Sequence, residues 1–331
     1  MPTPVELILA VDGGQTSTKA LVAQIDGRVL GAGRGGPSDH FHIEGGVEKN
    51  RIAIQGAIKA ALADAGVEPD RVVSVALGLT GAPTGGTATP IVHDIIRELF
   101  APRKISVGPD YITNLAGASG GQPGVVLIAG GGAISYGVTG DGHEALSGGF
   151  GYLLGDEGSA FNIGRLATIA AARASDGRDE PTALQGIVER AFGLGTMREI
   201  TRIVYAAGFS RDRLSLLAPE VAAAARDGDG VAIRIMRTAG EELARTALAT
   251  IRKLFEPGQP VDVFLTGGVF AAGDVLRGPF RAALTQGWPE AADRDPRFPP
   301  AVGGLIVARR LLGLEIDEAW LQTIARTLRQ P

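Results

Sequence analysis

The chain has 331 residues, 45% of them hydrophobic and 21% charged, enough apolar material for a large core and for two domains. A formal net charge of −4, from 32 basic and 36 acidic residues with no Lys/Arg run, excludes the footprint of a nucleic-acid binder. The absence of cysteine excludes disulfides, a thiolate nucleophile, cysteine-held iron–sulfur clusters and cysteine zinc sites.

In chain order, residues 5–11, 20–25 and 28–33 are short β-prone runs parted by glycine turns, and Asp26-Gly27 is a hairpin signal, so the chain opens as a three-stranded meander. The first turn reads Asp12-Gly13-Gly14-Gln15-Thr16-Ser17-Thr18-Lys19. Glycine and hydroxyl residues in a tight turn can aim backbone N–H groups at an anion while Asp12 faces its counter-cation, although an aspartate here could equally cap the turn. Residues 50–65 carry apolar side chains at helical spacing, and residues 71–79 form a continuous buried-strand run. A helix over 89–100, a short strand over 104–107 and a helix over 111–118 follow, with Asp110 at the junction of the last two. At Gly124 the pattern restarts. Residues 125–129 are a buried strand, Gly130-Gly131-Gly132 a turn and residues 133–138 a returning strand, which echoes the opening hairpin. Helical periodicity then dominates 159–174 and 183–255, residues 261–265 are one more strand ending at Thr266-Gly267-Gly268, and helices over 303–312 and 317–328 close the chain.

Two hairpin turns, a later Gly-Gly after a buried strand and duplicated α/β halves resemble the superfamily of sugar kinases, Hsp70 and actin. Within it, Gly148-Gly149-Phe150-Gly151-Tyr152-Leu153-Leu154-Gly155-Asp156-Glu157-Gly158-Ser159 resembles the family that unites N-acetylglucosamine kinases with BadF/BadG/BcrA/BcrD-type ATPases. The resemblance implies an α/β fold, a two-domain actin-like ATPase (ribonuclease H-like, duplicated) with an interdomain cleft. The domains it implies are residues 1–114 with a C-terminal helix of about 315–331, and residues 115–314 with a helical insertion and the adenosine loop.

By the same resemblance the activity is ATP-dependent phosphorylation of the 6-hydroxyl of an amino sugar, N-acetylglucosamine or glucosamine. Phosphoryl transfer needs donors for the phosphates, a metal site and a base for the acceptor hydroxyl. The implied cofactors are ATP and Mg²⁺, held by Asp12, Gly13, Gly14, Gln15, Thr16, Ser17 and Lys19, by Gly130, Gly131, Gly132 and Ala133, and by Gly267 and Gly268, with Asp12 the metal residue. Asp110 falls where such kinases carry the base, and as a bare sequence position it is also a favoured helix cap. Sugar contacts are expected from Asp39, His40 and Phe41 and from Gly149, Phe150, Asp156 and Glu157, aromatic faces and carboxylates being suitable chemistry for sugars. For Glu157 a structural role beside a helix terminus stands equally open.

Two features depart from the family pattern: Asp39 stands where an asparagine is usual, and Gly130-Gly131-Gly132-Ala133 lacks the loop hydroxyls, with Ser135 the nearest replacement. Gly31-Ala32-Gly33-Arg34-Gly35-Gly36 satisfies a dinucleotide pattern, but Pro37 follows where a helix should open. Asp39-His40-Phe41-His42 could place two imidazoles on one strand face, yet nothing completes a tetrahedral set. Two alternatives accompany the kinase: a BadF-type ATPase without an iron–sulfur cluster, and a non-catalytic nucleotide or sugar sensor. The expected partner is a small-molecule sugar, without nucleic acid or membrane, in a homodimer as resembling kinases commonly are. No apolar run reaches membrane-span length and the first residues lack a signal-peptide pattern, so a cytoplasmic location is expected.

Overall fold

Leu7–Gly13 (β1) is apolar at every position before Asp12, and the chain buries Leu7, Ile8, Leu9, Ala10 and Val11 completely. Such a run is what a strand covered on both faces requires. The computed structural model describes residues 6–14, 16–38, 41–82 and 86–329. After β1 come β2 (Thr18–Gln24), β3 (Val29–Gly35), α1 (Gly46–Ala65), β4 (Val72–Leu79), α2 (Ala88–Arg97), β5 (Lys104–Pro109) and α3 (Asp110–Ser119). Next are β6 (Gly124–Ala129), β7 (Ala133–Val138) and β8 (Glu144–Gly148), then the helices α4 (Ala160–Ser175), α5 (Leu184–Phe192), α6 (Ile200–Val204), α7 (Asp212–Ser215), α8 (Ala218–Arg226) and α9 (Gly230–Leu254). The chain finishes with β9 (Val261–Thr266), α10 (Asp274–Gly287), β10 (Ala291–Arg294), α11 (Pro300–Arg310) and α12 (Glu318–Thr327).

Contacts divide the chain into one unit of Met1–Gln122 with Pro296–Pro331 and a second of Pro123–Asp295. In the first, the sheet runs β3-β2-β1-β4-β5, with β1 antiparallel to β2 and parallel to β4, and β4 parallel to β5. Side-chain alternation sorts the two faces. Leu7, Leu9 and Val11 point into a core with Ile54 and Ile58 of α1 and Val92 and Ile96 of α2, whereas Ile8 and Ala10 meet Leu305 of α11 and Trp320 of α12. In the second unit the sheet runs β10-β9-β6-β7-β8, again a meander extended by two parallel strands. Counted outward from β1 and from β6, the two orders are the same, which establishes the duplication.

Three elements of the second unit escape the sequence reading: β8, β10 and α10. β10 is four residues paired in parallel with β9 at a sheet edge, and its Arg294 reaches Asp262 of β9 at 2.8 Å while Asp293 takes a two-pronged bond from Arg281 of α10, so no apolar run marks it in the sequence. Among the described residues no helix is long and apolar enough to cross a membrane.

The glycines of the dinucleotide-like pattern have a packing role. A Cβ at Gly31, Gly33 or Gly35 would stand 2.4, 2.2 or 2.2 Å from the carbonyl oxygens of Ala61, Ala57 or Ala53 on α1, so β3 is bare along one face to let the helix backbone rest on it. Gly33→Ala should therefore destabilise the protein by about 1–3 kcal/mol in denaturant titrations, because a methyl must force helix and strand apart. Gly36→Ala, where an added Cβ meets nothing within 4 Å, should stay within about 0.5 kcal/mol of wild type. Equal stability of the two variants would rule out the packing role.

Candidate functional site

In the first unit, three parallel strands end side by side. Cα pairing sets Asp12 of β1 opposite Gly78 of β4, Gly78 opposite Gly108 of β5, and Leu79 opposite Pro109, so the residues that emerge together are Asp12-Gly13, Thr80 and Asp110. The carboxyl ends of parallel strands are where α/β sheets open their ligand sites. The turn after β1 is closed by the Gly14 N–H donating to the Ser17 carbonyl at 3.1 Å, and the buried Ser38 donates to the Gly14 carbonyl from its N–H at 3.1 Å and its hydroxyl at 3.3 Å. Thr16 is exposed, Ser17 and Lys19 are half-buried, and Lys19 pairs with Asp12 across the hairpin. Gln15, Asp39 and His40 lie outside the described residues. Phe41, expected to offer its ring to a sugar, is instead buried among the apolar side chains of the α1 face.

Asp110 begins α3 as its first residue, and the preceding cap position is Pro109, which makes no side-chain cap bond. Asp110 is thus inside the helix rather than its cap. Its Oδ2 accepts from the Thr80 hydroxyl at 2.8 Å, and its own carbonyl accepts from Thr113 Oγ1 at 2.9 Å and Asn114 Nδ2 at 3.0 Å. Burial pushes the Asp110 carboxyl above the usual carboxylate range, while donation by Thr80 and by the Tyr111 N–H pulls the other way. Asp12 is raised to about 6, first by burial of its carboxyl and then by the like charge of Asp110, against the opposing pull of Lys19. Among the described residues no group of three or more His, Asp or Glu side chains is arranged as a metal cage. A carboxylate beside a substrate's own phosphates is, however, a donor set that Mg²⁺ takes, and Asp12, whose buried carboxyl lies at the end of β1, fits it.

In the second unit, Gly130-Gly131-Gly132 turns β6 into β7 and is tied down twice. The Ala160 N–H donates to the Gly130 carbonyl at 2.8 Å, which sets the first turn of α4 against the loop, and the Ala133 N–H donates to Asp156 Oδ1 at 3.1 Å. Asp156 is buried and is the one non-glycine residue with positive φ among those described, at 62°. A Cβ on Gly132 would lie 2.9 Å from its carboxylate, so that glycine is what admits the carboxyl over the turn. Burial raises the Asp156 pKa, with the Ala133 N–H and Arg211 opposing and Glu157 adding to it. Asp156, expected among the sugar contacts, thus holds the Gly130–Gly132 turn through one of its carboxylate oxygens. Gly149 donates its N–H to the Ala133 carbonyl at 3.1 Å, while Phe150 and Glu157 are exposed. Ser135 is fully buried within β7 and supplies no hydroxyl to the loop.

Gly267 follows β9 and precedes a short 3-10 turn that runs from Gly268 to Ala272. This turn, the Gly130-Gly131 loop and the helices α8 and α9 enclose a cavity of about 350 Å³, whose lining includes Val269, Met236 and Arg226. The Arg226 guanidinium donates to the Ala272 carbonyl at 3.1 Å across α8 and that turn. The cavity's apolar walls and few polar groups suit a planar base. Sequence reasoning found the glycines but not Thr80 or Arg226. The one signal for Thr80 was a hydroxyl residue directly after the buried run ending in Gly78-Leu79.

The model of the BadF/BadG/BcrA/BcrD ATPase family matches residues 9–308. Over 302 residues the chain is 30% identical to the N-acetylmuramic acid/N-acetylglucosamine kinase of Clostridium acetobutylicum, which covers 91% of this chain and 98% of that one. It is 24% identical over 312 residues to the N-acetyl-D-glucosamine kinase of Dictyostelium discoideum, covering 92% and 98%. Among solved structures, one from Chromobacterium violaceum, provisionally named an N-acetylglucosamine kinase, matches with a TM-score of 0.75 at 28% identity over 92% of this chain and all of that one. The duplicated α/β architecture is that of actin-like ATPases and sugar kinases.

Burial of Asp12 also links stability to pH. Its folded-state value of about 6 lies above the ordinary 3.8, so the proton it holds favours the folded state fully below about 4, and that contribution is lost as pH rises through about 6. In metal-free, nucleotide-free protein, Asp12→Asn should gain stability relative to wild type between pH 4 and 7, by up to about 3 kcal/mol, and level off above. A flat difference in urea titrations across that range, or one of opposite sign, would remove the assignment.

Proposed function

The chain belongs to the BadF/BadG/BcrA/BcrD ATPase family, and on that footing we propose that it is an ATP-dependent sugar kinase whose acceptor is the 6-hydroxyl of an amino sugar, N-acetylglucosamine or glucosamine. The observation that carries the reading is the convergence of Asp12, Thr80 and Asp110 at three adjacent strand ends of the first unit, within a chain similar throughout to sugar kinases. The names of its relatives support the amino-sugar class.

Asp110 is the group suited to take the proton of the acceptor hydroxyl. A base of this kind contributes about 10²–10⁴-fold when its pKa is lifted toward the working pH, and burial lifts this one. As the hydroxyl proton passes to the Asp110 carboxylate, the sugar oxygen forms its bond to the γ-phosphorus and the bond to the leaving ADP oxygen breaks. Asp12 would hold Mg²⁺, which when bound neutralises charge on the transferring phosphates. The Gly130–Ala133 turn and the cavity beside Gly268 would take phosphate and base in the second unit.

A second reading, a non-catalytic nucleotide or sugar sensor, draws on the phosphate turn's lack of any hydroxyl, Ser135 being buried. An iron–sulfur ATPase with cysteine ligands is excluded because the chain has no cysteine.

Release of ADP with a panel of glucosamine, N-acetylglucosamine, N-acetylmuramic acid and glucose separates these. The kinase reading expects turnover that depends on an amino sugar. Turnover indifferent to any sugar would point to an ATPase, and binding without turnover to a sensor. Asp110→Asn should lower kcat by at least about 10²-fold with nucleotide affinity held within about threefold. Because the base must be deprotonated, wild-type kcat should fall as pH drops through a limb lying above the ordinary aspartate range, owing to the burial of Asp110.

A further inference from the structure

Among the described residues of the first unit's candidate site, Thr80 bonds to both neighbouring strand ends. Its backbone N–H donates to the Gly13 carbonyl at 2.9 Å, joining the end of β4 to the turn that follows Asp12. Its hydroxyl donates to Asp110 Oδ2 at 2.8 Å, joining the same strand end to the first residue of α3. The second bond does something the first does not. A carboxyl at the first position of a helix has several staggered rotamers open to it, and Pro109, which precedes it, makes no side-chain bond at the helix start. Beside the donation from the Tyr111 N–H, a hydroxyl donor on one carboxylate oxygen restrains the orientation of the group and so the direction of its remaining lone pairs.

A proton acceptor must meet the acceptor hydroxyl at hydrogen-bond distance and in line with the attack, so the orientation of the carboxyl is part of the chemistry. We infer that Thr80 is a positioning residue for phosphoryl transfer: its hydroxyl holds the Asp110 carboxyl in the orientation that accepts the sugar's proton, while its backbone holds the metal-side turn in register with it. The inference rests on the kinase reading above. The main-chain bond to Gly13 survives any side-chain change at this position, so a substitution can remove the hydroxyl and leave the strand ends joined.

Thr80→Val, which keeps the branched shape and loses the donor, is compared with Thr80→Ser, Asp110→Asn and the double variant Thr80→Val/Asp110→Asn, using the sugar that wild type turns over fastest. Thr80→Val should lower kcat by about 10- to 100-fold with KM for sugar and for ATP within about threefold, since a misplaced reacting group costs rate more than binding. Thr80→Ser should restore kcat to within about threefold of wild type. On the Asp110→Asn background, Thr80→Val should cost nothing more, because residues acting as one unit are not additive. Crystal structures should show the Asp110 carboxyl turned from its wild-type orientation in Thr80→Val and retained in Thr80→Ser. An unchanged carboxyl orientation in Thr80→Val, an unchanged kcat, or a rise in KM at constant kcat would each overturn the role. Failure of wild type to turn over any sugar would sink the kinase reading alone, and the crystal structures would still decide whether Thr80 holds Asp110.

Discussion

Everything in the first unit depends on β1 having neighbours of opposite sense, β2 antiparallel on one side and β4 parallel on the other. The antiparallel partner returns immediately, so the β1–β2 connection is short, and Gly13 beside Asp12 leaves room for Leu79, whose side chain an added Cβ would meet at 2.5 Å. The parallel partner needs a crossover, which α1 provides, and a second crossover through α2 adds β5. Three carboxyl ends therefore lie in one row, and polar residues at those ends meet although they stand far apart in sequence. Since β1 is covered on both faces, its register is not free to slip: a shift by one would carry Leu7, Leu9 and Val11 to the wrong core.

Bringing two carboxylates into such a row is costly, and the structure offsets the cost unevenly. Asp12 has burial and a like-charged neighbour against it and Lys19 in its favour, and it settles near 6. Asp110 is also disfavoured by burial but keeps a hydroxyl and a backbone donor. The two acids thus sit in different environments on one edge, the usual way for a fold to give similar side chains different tasks. In the second unit the corresponding turn carries no acid of its own. Asp156 reaches it from a loop 23 positions further on, accepts from the Ala133 N–H and takes up a left-handed backbone to do so. An aspartate tolerates that conformation better than most residues, and strain of this kind persists only where surrounding contacts enforce it.

Legibility in the sequence followed the range of the interaction. The Asp12 turn, the Gly130–Gly132 turn and the placement of Asp110 between strand and helix are local patterns, and each was readable from a few neighbouring residues. Thr80 was missed because its meaning lies in a bond to a residue 30 positions away. Gly31, Gly33 and Gly35 show another case: they match a dinucleotide pattern locally, yet they are bare so that α1 can rest on β3. Phe41 in sequence was an aromatic beside polar groups; only packing reveals that its ring belongs to the core. The short β8 and β10 carry too few apolar residues to be seen alone, and with them hidden the identical order of the two sheets was hidden as well.

By itself, then, the sequence determined the fold class, the repeated hairpins and the positions of Asp12 beside a hairpin turn and Asp110 at a strand-to-helix junction, because alternation, glycine turns and such junctions are set by residues within a few positions of one another. The tertiary structure alone decided which strand ends share an edge, that Thr80 binds Asp110, and that Asp156 braces the second turn. Those facts follow from strand register and from a carboxyl entering space that a missing Cβ leaves open, and neither is a property of any short stretch of chain.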